Sequence, residues 1–256
     1  MGLYRTLLNS IPRPWLIRGS YVLRPFLPLL YAGNRFEDPI DGRHYRALLP
    51  YGYGAVQRPN ALSPSTLSLE RHRLMWLYLR DHSDFLTRPA SLLHFAPEQC
   101  FHSRFKKLQH LDYRTADLDS PLADMQVDVQ QLPLEDNQFD WIFCNHVLEH
   151  VPDDRKALRE LFRVLKPGGL LIAQVPQRFD WEKTLEDPSI TDRAERERLF
   201  GQYDHVRMYG RDYPDRLHQA GFRVQLWRAE EALGPEAVER YALPAQEALP
   251  LAFKPL

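Results

Sequence analysis

Acids and histidines stand at several points of the chain where they could do chemistry. Asp117 closes the apolar run "LDYRTADL" (111–118), 23 residues after His94. An acid at the end of the second strand of a nucleotide-binding sheet accepts hydrogen bonds from ribose hydroxyls. Asp128 follows 11 residues later, at the end of "DMQVDV" (124–129), where a carboxylate can accept from an exocyclic adenine amine. Turns favour aspartate on their own account, so each acid also has a plain structural reading. Their order along the chain favours both as ligands.

Histidine is the usual base near neutral pH, and three histidines are candidates. His146 comes directly after the run "FDWIFCN", at a strand end, and is the best placed. His150 lies in "VLEHV", where a structural role competes. His205 lies in "YDHVRMYG", with Asp204 before it and Arg207 after. If that run covers a ligand crevice, it brings an acid, a base and a cation to a substrate. Tyr203, Arg207, Tyr209 and His150 would then line an acceptor pocket. The alternative is an internally paired segment with no chemical role.

These residues need a scaffold, and the patterning supplies one. "SLLHFA" (91–96), 111–118, 124–129, "FDWIFCNHV" (139–147) and "LLIAQVP" (170–176) read as strands. "QCFHSRFKKLQ" (99–109) and "DDRKALRELFRVL" (153–165) read as helices. Asp153 and Asp154 suit the second helix's N-terminus, and "KPGG" ends it. A shorter helix (211–222), the strand "RVQLWR" and a last strand "LPLAFK" (249–254) follow. Strands alternating with helices predict a doubly wound, mostly parallel sheet with ligands at the strands' carboxyl ends. Residues 177–210 interrupt the alternation after a central strand and are placed to cover the crevice. Before the sheet, a helix spans about 67–85, and 37–68 reads as loop, punctuated by glycine, proline and aspartate.

Composition sets limits. The 256 residues suffice for one α/β domain plus an appendage, and the net charge of −1 gives no reason to invoke nucleic acid. Two cysteines cannot form a disulfide framework, and no apolar run reaches a membrane span, so a cytoplasmic setting is expected. Residues 1–36 hold five arginines and no acid among apolar residues. Such an arm either packs over the main domain or makes weak contact with an anionic membrane surface; its prolines prevent one long amphipathic helix.

The run "VDVQQLPLEDNQFDWIFCNHVLEHVPDDRKALRELFRVLKPGGLLIAQVP" (127–176) resembles the class I S-adenosylmethionine-dependent methyltransferases, specifically the type 11 branch. The resemblance implies a Rossmann-like sheet of about seven strands and transfer of a methyl group from a sulfonium to a nucleophile. By position, Asp117 with Leu118 matches the ribose side, and Asp128, Val129 and Gln130 the adenine pocket. Asn145 and His146 match the segment facing the methionine part. The family's glycine-rich turn falls on His94, Ala96, Glu98 and Cys100, none of them glycine. A sulfonium cofactor has no phosphate, so a carboxylate such as Glu98 can meet its cationic methionine end instead.

"LLHFAPE", "SLERHR" and "FGQYDHVRMYGRDYP" resemble, more narrowly, a bacterial methyltransferase subfamily with an H-x-APE turn. Its N-terminal part commonly carries two Cys-Pro-x-Cys pairs. Here the matching places are Asp38, Asp41, Ser63 and Thr66. The expectation is a ribbon-like lobe (37–68) without zinc, since such oxygen groups make a poor zinc site; a hard cation on Asp38 and Asp41 is the alternative. The methyltransferase domain is then 69–256, with 177–210 as a lid insertion.

Three functions compete on this reading. The first is methyl transfer to an oxygen or nitrogen of a small molecule, a sugar or other metabolite, with His146, His205 and Asp204 as catalytic groups. The second is a non-catalytic protein that binds or has lost the cofactor. The third, nicotinamide-dependent redox chemistry, requires a glycine fingerprint the chain lacks.

Overall fold

The computed structural model describes residues 24–52, 57–120 and 123–256. Of the basic arm expected over residues 1–36, with its contact to a membrane surface, residues 1–23 lie outside the described residues, and 24–36 form a helical turn and the start of a strand. The chain divides into two compact units, one of residues up to 77 with 233–244, the other of 78–232 with 245–256.

The first unit is richer in structure than its loop-like sequence suggests. A helical turn, α1 (Leu27–Leu30), leads into two hairpins. Strands β1 (Ala32–Asp38) and β2 (Arg43–Tyr45) pair antiparallel, as do β3 (Leu49–Tyr51) and β4 (Arg58–Leu62). Helix α2 (Glu70–Asp81) follows. The turn residues that match cysteine positions in the resembling subfamily come together. Asp38 is fully buried; its Oδ2 accepts from Thr66 Oγ1 at 2.5 Å and from Ser68 Oγ at 3.3 Å. Its Oδ1 accepts from the Ile40 amide, while the Ser63 hydroxyl oxygen accepts from the Thr66 amide. A carboxylate and hydroxyls thus tie the β1–β2 turn to the turn that follows β4. The other hub is Arg73, also fully buried. Its guanidinium donates to the carbonyls of Ala61, Ser68, Tyr241 and Ala242.

The second unit holds the sheet. Strands β5 (Ala90–Phe95), β6 (Leu111–Asp117), β7 (Met125–Gln126), β8 (Phe139–Cys144) and β9 (Leu165–Ile172) are joined through helices that include α3 (Gln99–Phe105) and α4 (Asp154–Val164). The segment 177–210 contributes β10 (Leu185–Glu186), α5 (Arg193–Phe200) and β11 (Arg207–Met208). Then come α6 (Tyr213–Gln219), β12 (Arg223–Arg228), α7 (Ala229–Leu233), α8 (Pro235–Arg240) of the first unit, and β13 (Ala248–Phe253). The sheet order is β12-β13-β9-β8-β5-β6-β7. Only β13 runs against the rest, antiparallel to both of its neighbours. This is the mostly parallel sheet that the alternation predicts, with the seven strands and Rossmann-like order that the resemblance implies.

Several boundaries differ from the sequence expectation. The helix expected over 99–109 stops at Phe105, and the third strand shrinks to two residues. Strand β9 starts at Leu165, directly after α4, and runs through "KPGG" with Gly168 at φ +76°. The rest of α4 follows its sequence. Asp153 caps it, accepting from the Lys156 amide, and Ala157, Leu158, Leu161 and Val164 are buried. They join Leu93, Phe95, Ile142, Cys144 and Leu171 in the main core.

Candidate functional site

The strand order reverses at β5, which has β6 on one side and β8 on the other. Parallel sheets bind ligands at the carboxyl ends beside such a reversal. A cleft of about 540 Å³ lies there, lined by Phe95 and Ala96 after β5, Asp117 and Leu118 after β6, and Val127 to Gln130. Its other wall is His146, Val147 and His150 to Pro152, from the loop after β8. Its lining is largely apolar with a few convergent polar groups, the usual character of small-molecule sites.

Of the residues the sequence put forward for a cofactor, Ala96, Asp117, Leu118, Asp128, Val129, Gln130 and His146 line this cleft. Asp117 Oδ1 accepts from the amides of Asp119 and Ser120 and so shapes the loop it starts. Asp128 Oδ1 accepts from the Gln130 amide, and both of its oxygens lie 3.1 Å from Gln130 Nε2. Leu118 is 63% exposed beside them.

The turn after β5 keeps a glycine-type backbone without a glycine. Ala96 has φ +46°, and its amide donates to the Ala116 carbonyl at 2.9 Å. His146, across the cleft, has φ +53°, with its amide donating to the Gln174 carbonyl. Left-handed backbone is unfavourable for residues with a Cβ by ~1–2 kcal/mol, and such outliers gather at functional sites.

His94 and Glu98 require a correction. They do not line the cleft; they turn inward as parts of one polar chain across the sheet. His94 is fully buried, with Nδ1 at 3.0 Å from the Tyr113 hydroxyl and Nε2 at 2.5 Å from Glu98 Oε2. Glu98 Oε1 accepts from Asn145 Nδ2, and Asn145 Oδ1 accepts from the Gln174 amide. Burial, with the Glu98 and Asp124 carboxylates nearby, pushes the Tyr113 phenol well above its ordinary range, so it stays protonated and donates to His94. Nε2 of His94 then carries the hydrogen given to Glu98. The chain links the ends of β6, β5, β8 and β9, and Asn145 also belongs to it rather than to the cleft surface. Glu98 therefore serves the site by fixing the turn.

The segment 177–210 corrects a second expectation. Arg207 and Tyr209 are buried and fully engaged inside the protein, so they do not form an acceptor pocket. Arg207 donates to the carbonyls of Leu148 and Val151, each at 2.6 Å, and of Pro152 at 2.8 Å. Tyr209 donates its hydroxyl to Asp154 Oδ2 at 2.8 Å. Asp154 and Glu186 share Arg207 and Arg216 as ionic partners. Tyr203, 37% exposed, lies against Arg193, whose guanidinium carbon is 4.2 Å from the ring centroid. The segment thus braces the loop after β8 from behind.

The histidines do gather. His146 Nδ1 lies 3.1 Å from Oε1 of the fully buried Glu149, which sequence reasoning passed over as part of "VLEHV". Burial alone would raise Glu149; the His146 hydrogen bond and the charges of His146 and His150 outweigh it and hold the carboxyl below its ordinary value. The His150 and His205 rings meet edge to face at 4.7 Å, and Asp204 Oδ2 lies 3.5 Å from His150 Nδ1. Burial lowers His205, against the pull of Glu149. No described helix is long and apolar enough to cross a membrane.

Comparison with known proteins places this geometry. Residues 93–173 match the family described as methyltransferase domain. The ubiquinone/menaquinone biosynthesis C-methyltransferase UbiE of Vibrio cholerae is 50% identical over 48 residues, 19% of this chain and 18% of that protein. UbiE of Pasteurella multocida is 41% identical over 64 residues, 25% and 22% of the two chains. The chain therefore spans under a quarter of the length of these relatives. Among solved structures, the [4+2]-cyclase SpnF superposes with a TM-score of 0.50 at 16% identity, over 93% of this chain and 96% of that one. At such identity the likeness concerns the fold alone. Residues 93–173, which run from β5 to β9 and contribute to the cleft at the strand-order reversal, are thus similar to a methyltransferase domain.

Proposed function

We propose that the chain is an active methyltransferase that moves the methyl group of S-adenosylmethionine to an oxygen or nitrogen of a small molecule, a sugar or other metabolite. The observation that carries this reading is the cleft at the ends of β5 and β6, with Asp117 and Asp128 on one wall and His146 on the other. Asp117 accepts from the ribose hydroxyls and Asp128 from the adenine amine. The left-handed backbone at Ala96 keeps the first turn open to the cofactor. S-Adenosylmethionine supplies a methyl group on a cationic sulfur when bound.

The acceptor approaches from the side of His146 and His150, both of which line the cleft. His146 is the group placed to remove a proton from the acceptor; its Nδ1 hydrogen is held by Glu149, leaving Nε2 as the basic atom. Proximity and alignment supply most of the remaining catalysis. A carbon acceptor is the second reading, favoured by the 50% identity to a protein named as a C-methyltransferase.

Calorimetry with S-adenosylhomocysteine tests the proposal. Wild type should bind, and Asp117→Ala should bind at least tenfold more weakly. No binding to well-folded protein, with Asp117→Ala indistinguishable, would overturn the proposal. A screen of acceptors with a labelled methyl group, read by the atom that carries the label, separates the oxygen or nitrogen reading from the carbon one.

A further inference from the structure

Glu149, His150 and His205 form a cluster in which acceptors outnumber hydrogens. A carboxylate oxygen of Glu149 and one ring nitrogen from each histidine lie within 4.8 Å of one another. His205 is 2% exposed, and its Nδ1 sits 2.8 Å from the Phe200 carbonyl oxygen. A carbonyl only accepts, so Nδ1 carries the hydrogen and Nε2 keeps its lone pair. Among the described residues, that Nε2 has no hydrogen-bond partner, and neither has Oε2 of the fully buried Glu149. Buried acceptors left unpaired are costly. A proton on one of them satisfies that group; a cation satisfies both and draws in His150.

Each group also has the outer partner that orients metal-binding side chains. His146 holds Oε1 of Glu149 at 3.1 Å, the Phe200 carbonyl holds His205, and Asp204 lies 3.5 Å from His150 Nδ1.

We propose that Glu149, His150 and His205 bind one divalent transition-metal ion through two imidazole nitrogens and one carboxylate oxygen, a set that suits Zn²⁺. Bonds of about 2.0–2.2 Å place ligand atoms about 3.4 Å apart on a tetrahedral ion, so small side-chain rotations close the site. Three protein ligands leave a position open. Because His150 also lines the cleft, an oxygen of a molecule held there can take it. That final point rests on the methyltransferase reading; binding of the ion does not.

The test uses the full chain, stripped with chelator and titrated with Zn²⁺ by calorimetry without any S-adenosylmethionine. One ion should bind per chain, and Co²⁺ in its place should give visible absorption. His205→Ala and His150→Ala should each weaken Zn²⁺ binding by about 100-fold or more. His150 is an exposed residue, so its variant should keep the wild-type circular dichroism where the buried His205 variant could fail to fold. Absence of stoichiometric Zn²⁺ binding to wild type overturns the proposal. Wild-type affinity in folded His150→Ala overturns it as well. Since no cofactor is present, neither result bears on whether S-adenosylhomocysteine binds.

Discussion

Nε2 of His94 and Oε2 of Glu98 lie 2.5 Å apart across one turn, and the same carboxylate holds Asn145 through its other oxygen. Removing it strands two buried donors. Glu98→Ala should therefore destabilise the protein by about 2–3 kcal/mol, measured by urea denaturation. It should also weaken S-adenosylhomocysteine binding more than Cys100→Ala does, because Glu98 ties the turn to both His94 and Asn145. Equal affinities of the two variants would leave the turn with a purely structural role.

Ala96 holds φ +46° where glycine would be unstrained. Ala96→Gly relieves ~1–2 kcal/mol of backbone strain and adds ~0.5–1 kcal/mol of chain entropy to the unfolded state. The net expectation is a variant as stable as wild type or more so by about 1 kcal/mol, with cofactor affinity retained. A clear fall in thermal midpoint would show that the Ala96 methyl group makes packing contacts worth more than the strain.

Asp154 is buried between Arg207 and Arg216 and accepts from Tyr209. Asp154→Asn keeps the shape and removes the charge, leaving two buried guanidinium groups with Glu186 alone for an ionic partner. A loss of about 3 kcal/mol follows. The loop that Arg207 braces lines the cleft, so ligand affinity should fall in the same variant. Unchanged stability would mean that Glu186 compensates fully.

Glu186 sets an acid limit. The Arg216 hydrogen bond, then Arg207, hold its carboxyl below the ordinary 4.5, against partial burial. A carboxyl depressed on folding binds fewer protons in the folded state. Its stabilisation is complete above about 4.5 and is lost as pH falls through the depressed value. Glu186→Gln should lower the thermal midpoint at pH 7 and flatten its decline between pH 5 and 3. Parallel acid limbs for the two proteins would exclude Glu186 as the group responsible.

Arg73→Lys tests the first unit. A lysine offers one ammonium in place of a planar fork that reaches four carbonyls. The loss should be about 3 kcal/mol, read by denaturation or as faster proteolysis within 24–77.

The central sheet was legible in the sequence because burial on both faces leaves continuous apolar runs, as in β8 and β9, and because α4 shows one apolar stripe and an aspartate cap. The positions of Asp117 and Asp128 on the cleft wall were legible for a different reason: both stand at strand ends. The hairpins of 32–62 were not. Their strands are short, rich in proline and charge, and held by Asp38 and Thr66, which are far apart along the chain. Arg207 and Tyr209 looked like surface chemistry because a charged run reads the same whether its partners are water or Asp154, a residue more than fifty positions earlier. Glu149 was hidden by its neighbours, since nothing in "VLEHV" tells which of Glu149 and His150 is buried.

The place of β13 has a consequence for biosynthesis. It lies between β9 and β12, and β12 pairs with no other strand. While a ribosome is still making residues up to 247, the Leu170–Ile172 edge of β9 stands open and β12 has no attachment to the sheet. A nascent chain in that state exposes an apolar strand edge, the kind that invites intermolecular pairing. Docking of β13 is therefore the step that closes this edge of the sheet and ties β12 to it.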